Sequence, residues 1–443
     1  MPCRAGGQRP TAPTGKTMRE HFRASHRFLF SPAVWRLRLV LWSGAVLVGL
    51  AAAAFAMGAD LASGWFRAHA ARIPWLPFLA TPLGLMAVAW ITRRWFQGAE
   101  GSGIPQAIAA LSMADHRARA RVLSLKLALG KMLLTMGGLA AGGSIGREGP
   151  TVHVGAAILF SVRGWARFPR HDLERGLILA GGAAGIAAAF NTPLAGILFA
   201  IEEMSRSFEE RSNGTILISV ILAGVTALAL LGNYTYFGTT TAALPVQAWY
   251  AVLVCGVVGG LAGGLFSQAL IHTTRWAAPW TARHPLAVAA ACGLAIAGIG
   301  WLSGGTTFGT GYEEAKGLVT GHHATDPWFP FLKMLATIVT YLTGVPGGIF
   351  APSLSAGAGI GAELAPLFPL APAAAIVVLG MVGYFAGVVQ TPITAFVIIM
   401  EMTNNQAILF PLMATAFLAY AVSKLVCPRP LYRELAKAFL ARA

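Results

Sequence analysis

Three short stretches of this chain carry residue types suited to holding an anion without a full positive charge: Gly101–Pro105 (Gly-Ser-Gly-Ile-Pro), Gly146–Pro150 (Gly-Arg-Glu-Gly-Pro) and Gly348–Pro352 (Gly-Ile-Phe-Ala-Pro). Each opens on glycine and places a proline near the first turn of an apolar helix. Proline is favoured there because its missing N–H would be unpaired anyway, and glycine lets the backbone come close to a ligand. A helix start offers free N–H groups and the positive end of a dipole, which together bind anions. A single motif of this kind reads as a helix break made for packing. Three of them suit a conduction site, where an ion must bind well enough to enter and weakly enough to leave.

The elements that carry these motifs belong in a membrane. Of 443 residues, 56% are hydrophobic and 11% charged, and the mean hydropathy is +0.64; soluble domains carry about 25% charged residues. The runs Leu37–Met57, Pro77–Ile91, Gly214–Leu231, Trp249–Leu270, Pro285–Leu302 and Ala371–Val389 are nearly free of charge, and a spanning helix needs about 20 apolar residues. The shorter runs Val154–Val162 and Ala351–Leu370 read as broken by Gly and Pro, which number 52 and 25 in the chain. Broken helices at membrane depth are tolerated only where protein or a water-filled cavity covers the backbone. The expectation is an all-α polytopic membrane protein with broken helices. Residues 31–443 form one transport domain, preceded by a basic, disordered cytoplasmic tail over 1–30.

The net charge is +16, with basic clusters at both ends and in Arg93–Arg94, Arg117–Arg121, Arg163–Arg175 and Arg275–Arg283. The positive-inside rule turns both termini and these loops to the cytoplasm. Nucleic acid is not an expected partner, since the basic tail is short and adjoins a hydrophobic helix. Cys3, Cys255, Cys292 and Cys427 are isolated, which suggests neither a zinc cluster nor a redox pair; no metal or cofactor is expected. No apolar stretch precedes residue 34 or so, against a cleaved signal peptide.

A weak repeat runs through the chain. Pro150 and Pro352 stand 202 residues apart, and Asn191-Thr-Pro193 and Gln390-Thr-Pro392 stand 199 apart. Both of the latter lead apolar runs that end in acid-Met, at Met204 and Met402. Gly309–Tyr312 is a possible partner for Gly101–Pro105. Gly/Pro-interrupted segments repeated in two halves point to a transport site at the repeat interface; whether the halves are parallel or inverted stays open at this level.

With Asn191–Met204 and Pro430-Leu-Tyr432, the three motifs resemble the CLC family of chloride channels and chloride/proton antiporters, most closely its prokaryotic antiporters. The resemblance runs from about Leu37 to the end of the chain, without the paired cytoplasmic regulatory domains of animal members. It implies inverted repeats, a homodimer with one pore per subunit, chloride and protons as the transported species, and a multi-pass protein of a bacterial inner membrane rather than an enzyme. Residue by residue it implies that Ser102 and Tyr432 face a central anion through their hydroxyls. Backbone N–H groups of Ile349 and Phe350 complete that site, Glu148 is the external gate, and Glu203 takes up protons from the cytoplasm. Ser102 favours chloride, because nitrate-preferring relatives typically have proline there. Arg147 is expected in a structural ion pair.

Elementary chemistry agrees for Glu148. Ionisable groups within membrane segments are expensive and default to functional hypotheses. A carboxylate at an anion-binding helix start competes with the anion, and protonation withdraws the competitor. The plainer reading is a helix-start acid interacting with the dipole, worth about 0.3–1 kcal/mol. Glu203 adjoins Glu202 and reads equally well as a solvated acid; Glu401, at the matching place in the second half, reads as structural. Lys131 either raises the local potential for anions or snorkels to the interface. Two rival functions remain. A passive chloride channel is the nearer, disfavoured by acids at both 148 and 203. An intramembrane hydrolase is the more distant: Gly142–Gly146 fits Gly-x-Ser-x-Gly with His153 nearby, but the strand that such an elbow needs is not expected before it.

Overall fold

The computed structural model describes residues 32–166, 171–205, 213–232, 235–322 and 326–442; the expected basic tail lies outside them. The first half opens with α1 (Pro32–Arg72) and α2 (Leu76–Trp95). The short α3 (Ile104–Ser112) and α4 (His116–Val122) follow, then α5 (Leu125–Ala140), α6 (Glu148–Ala166), α7 (His171–Phe190) and α8 (Pro193–Phe199), which runs into a π-helical turn at Ala200–Ser205. The first half closes with α9 (Asn213–Leu231). The second half comprises α10 (Tyr250–Arg283), α11 (Pro285–Leu302), α12 (Tyr312–Thr320), α13 (Phe329–Leu342), α14 (Phe350–Leu364), α15 (Ala373–Val389), α16 (Pro392–Thr403), α17 (Leu409–Val426) and α18 (Leu431–Leu440). No strand occurs among the described residues, only two isolated bridges.

Among the described residues seven helices are long and apolar enough to cross a membrane, and the protein is a multi-pass membrane protein. At 41 and 34 residues, α1 and α10 exceed the ~20 needed for a span, which requires tilt or extension past the hydrocarbon. Others, such as the 9-residue α3 and the 15-residue α14, are too short to span, and both start on buried residues. The Val154–Val162 run differs from expectation. It lies within the unbroken α6, and its Gly155 serves packing: a Cβ there would stand 2.2 Å from the carbonyl oxygen of Gly181 on α7. Small residues let membrane helices approach this closely. The Ala351–Leu370 run does break, ending α14 at Leu364 and leaving a single 3-10 turn at Ala365–Leu367.

The repeat is structural as well as sequential. Asn191 and Gln390 both take φ 56°, and the following Thr192 and Thr391 share φ −127° with ψ 79° and 82°. Contacts between the halves are reciprocal. Gly146 N–H donates to Gly348 O, and Gly348 N–H to Gly146 O, both at 2.7 Å. The two residues form an isolated antiparallel bridge, so the equivalent turns of the two halves face each other.

Candidate functional site

The three Gly/Pro motifs meet. Besides the Gly146–Gly348 pair, Gly101 N–H donates to Val345 O at 3.4 Å and Gly347 N–H to Gly101 O at 3.1 Å. These bonds satisfy backbone groups that have no water to turn to at membrane depth. Helices α3, α6 and α14 therefore start at one place. Gly103, at φ 104°, makes the turn into α3, a conformation that L side chains rarely adopt. Across from it, a Cβ on Gly149 would stand 2.2 Å from Ser102 Oγ, so only glycine lets the first turn of α6 lie against Ser102.

Ser102, Ile349, Phe350, Tyr432 and Glu148 are all buried, each 1% exposed or less. Tyr432 enters on α18, one residue after Leu431 begins that helix, and its phenol faces the Ser102 hydroxyl. Neither hydroxyl oxygen completes a well-formed hydrogen bond to another protein group, and buried polar groups left in this way call for an explanation. An interfacial position for Tyr432 is excluded by its burial.

The Glu148 carboxylate lies by the backbone N–H groups of Glu148 itself and of Ala351, at the facing starts of α6 and α14. The Tyr236 hydroxyl donates to its Oε1 at 3.2 Å. Arg147 turns away, donating to Ala56 O at 2.6 Å and pairing with Asp60 at 2.7 Å; the expected structural ion pair is present. Lys131 is fully buried and does not snorkel; its Nζ donates to Gly101 O at 3.2 Å, holding the turn that carries Ser102.

Glu203 is fully buried, within the π-helical turn, and lies in electrostatic range of the Tyr432 phenol. It is not a solvated acid. Its neighbour Glu202 accepts from the backbone N–H of Ile393 and Thr394 at 3.1 and 2.7 Å, and from Thr394 Oγ1 at 2.8 Å. Glu401 returns the contact, accepting from the N–H of Leu194 and Ala195 at 3.1 and 2.8 Å. Each acid caps the helix start of the other half. The counterpart of Glu401 is thus Glu202, not Glu203 as the acid-Met match implied. The first half holds one more residue between its Thr-Pro and its Met, and the π turn absorbs it. π-bulges of this kind are frequent at functional sites.

The profile of the family described as voltage gated chloride channel matches residues 83–424. The chain belongs to the CLC family. This CLC protein is 33% identical over 431 residues to the H(+)/Cl(-) exchange transporter ClcA of Cronobacter sakazakii (strain ATCC BAA-894), covering 90% of this chain and 88% of the relative. It is 30% identical over 376 residues to ClcA of Vibrio vulnificus (strain YJ016), covering 82% and 79%. Among solved structures it resembles a slow cyanobacterial Cl-/H+ antiporter (TM-score 0.80, 24% identity, 92% of this chain and 98% of that one). It also resembles a CLC-type fluoride/proton antiporter (TM-score 0.77, 24% identity, 89% and 97%). These two likenesses establish the fold.

The CLC family is one of transporters, not of enzymes, and the hydrolase constellation does not assemble. Ser144 Oγ shares a hydrogen bond with Thr337 Oγ1 at 3.1 Å, while His153 Nε2 bonds Val122 O at 2.8 Å. Two buried residues of this CLC protein carry contacts that its motifs did not point to. Lys333 donates to Thr307 O and Gly309 O, both at 2.9 Å, mirroring the contact of Lys131 with Gly101 O. It stands 202 residues after Lys131, the offset of the proline pair, so the repeat could have found it. The other is Tyr236, which has no comparable signal.

Proposed function

We propose that this protein exchanges chloride for protons across a bacterial inner membrane, as a homodimer with one pore per subunit and both termini in the cytoplasm. The names of the curated relatives favour exchange over passive conduction, and family membership supports the homodimer. The observation that carries the reading is the position of the buried Glu148 carboxylate, beside the facing starts of two helices. Such a place binds an anion, so carboxylate and chloride compete for it. Protonation removes the charge and frees the site, which ties each anion entry to a proton.

Ser102 and Tyr432 hold the central chloride through their hydroxyls, and the N–H groups of Ile349 and Phe350 at the start of α14 complete the shell. Each hydrogen bond to a charged group is worth about 1.5–3 kcal/mol, so four partial donors replace water without trapping the ion. Glu203 receives protons from the cytoplasmic side and passes them toward Glu148. Residues 31–443 act as one transport domain, and residues 1–30 are a basic cytoplasmic tail.

The deciding experiment is chloride-driven proton movement in proteoliposomes with the membrane potential clamped. A chloride gradient should drive protons against their own gradient. Chloride movement with no proton movement would make the protein a channel and overturn the exchange reading. Ser102→Pro removes a hydroxyl donor from the anion shell and an N–H from the turn that carries it. Nitrate, larger and less charge-dense, depends less on one strong donor, so the nitrate-to-chloride flux ratio should rise several-fold. An unchanged ratio in folded protein would remove Ser102 from the ion's shell.

A further inference from the structure

We propose that Tyr236 is a latch on Glu148: its buried phenol donates a hydrogen bond that favours the carboxylate in the anion site and so sets the pH at which the site opens. The inference rests on the gating role given to Glu148 above. The bond is 3.2 Å long, with Glu148 fully buried and Tyr236 2% exposed. A hydrogen bond to the charged form of a group favours that form. In a water-excluded setting a bond of this kind is stronger than in solvent.

Tyr236 is placed for this work by contacts from distant parts of the chain. Its ring packs edge-on against Phe190, Phe237 and Tyr312, with centroids 5.1, 4.9 and 5.0 Å away. Phe190 in turn packs on Phe350, at the start of α14, at 5.3 Å. The loop bearing Tyr236 is tied to the end of α16. Phe237 N–H donates to Met402 O at 3.0 Å and Thr240 N–H to Thr403 O at 3.2 Å, and Asn405 Nδ2 donates to Ala242 O at 2.9 Å. The phenol is thus pre-set against the carboxylate by a rigid frame.

The charged and titratable groups around the pair act in the same direction or lie apart. Arg147 is in electrostatic range of both, and its own partners are Asp60 and Ala56 O. Tyr312 meets Tyr236 through its ring. Tyr432 stands across the anion site, in range of Glu148. From α14, the group facing the carboxylate is the backbone N–H of Ala351. A cation in range of the pair favours the carboxylate over the neutral acid and so acts in the same direction as the latch.

Tyr236→Phe removes one oxygen and keeps the ring in its aromatic frame. Chloride efflux and proton uptake would be recorded together across a pH series in proteoliposomes. The pH of half-maximal flux should move up by about one unit, a tenfold change in the protonation equilibrium, with the chloride-to-proton ratio unchanged. At fixed pH, chloride should also bind several-fold more tightly by calorimetric titration, since its competitor is less well held. On a Glu148→Gln background, adding Tyr236→Phe should shift nothing, because no carboxylate is left to latch. An unmoved midpoint and unchanged chloride affinity in Tyr236→Phe would overturn the latch while leaving the gate intact. Coupled, pH-dependent exchange surviving in Glu148→Gln alone would instead remove the gate on which the latch rests.

Discussion

Glu148→Gln protein in liposomes is expected to pass chloride at a rate nearly independent of pH, carrying no protons. The wild-type carboxylate sits at the N–H groups of two helix starts and takes a hydrogen bond from Tyr236. Under the proposed gate it excludes chloride by charge and by volume. Lowering the pH protonates it, ends its attraction to the donors and admits the anion, so wild-type flux should rise as pH falls. Glutamine imitates the neutral acid in shape but has no proton to give up. The site is then permanently free, and chloride runs down its gradient. The difference should be widest at high pH, where the protonated fraction of the wild type falls about tenfold per unit; there the mutant should be the faster by that factor for each unit. Were Glu148 only a capping acid, glutamine would cost about 0.3–1 kcal/mol of stability and coupling would survive. Paired chloride and proton traces separate the two, and proton uptake at the wild-type ratio in the mutant would rule out Glu148 as the coupled gate.

Glu203→Gln should have the complementary phenotype, with proton uptake reduced to background and chloride flux retained. Glu203 is fully buried on a π turn that has no counterpart in the described second half, while the neighbouring Glu202 is spent on capping α16. A buried carboxyl is costly inside a membrane protein and is a functional hypothesis by default. It stands in electrostatic range of Tyr432, as Glu148 does, and the proposed exchange makes it the first acceptor for a proton entering from the cytoplasm. Glutamine preserves size and hydrogen bonding but carries no proton at neutral pH. The contrast with Glu202→Gln is informative. Weakening that reciprocal cap should lower thermal stability and leave the chloride-to-proton ratio alone. If Glu203→Gln keeps wild-type proton uptake, the inner acid is structural and protons take another route.

The local chemistry of the site was legible without coordinates because it obeys short-range rules. Proline near a first turn, glycine before it and an apolar run after it mark a helix start whatever the rest of the chain does. The starts of α3, α6 and α14 follow from Gly101–Pro105, Gly146–Pro150 and Gly348–Pro352 in this way. The scarcity of charge determined the membrane by the same token, since solvation energy sums over the chain irrespective of its path. The offset of about 200 residues between matching motifs foretold two related halves, and applied to Lys131 it would have reached Lys333.

What only the tertiary structure decided depends on residues far apart in sequence reaching one point. Which of two adjacent glutamates is buried turned on a single extra residue. A helix accommodates it by widening one turn, and the widening redirects every side chain near it, an effect that composition and motif matching do not register. Tyr236 meets Glu148 across 88 positions, placed by an aromatic frame drawn from both halves. Nothing in its local sequence distinguishes it from an ordinary loop tyrosine, because the partner that gives a phenol its role is chosen by packing and not by its neighbours in the chain.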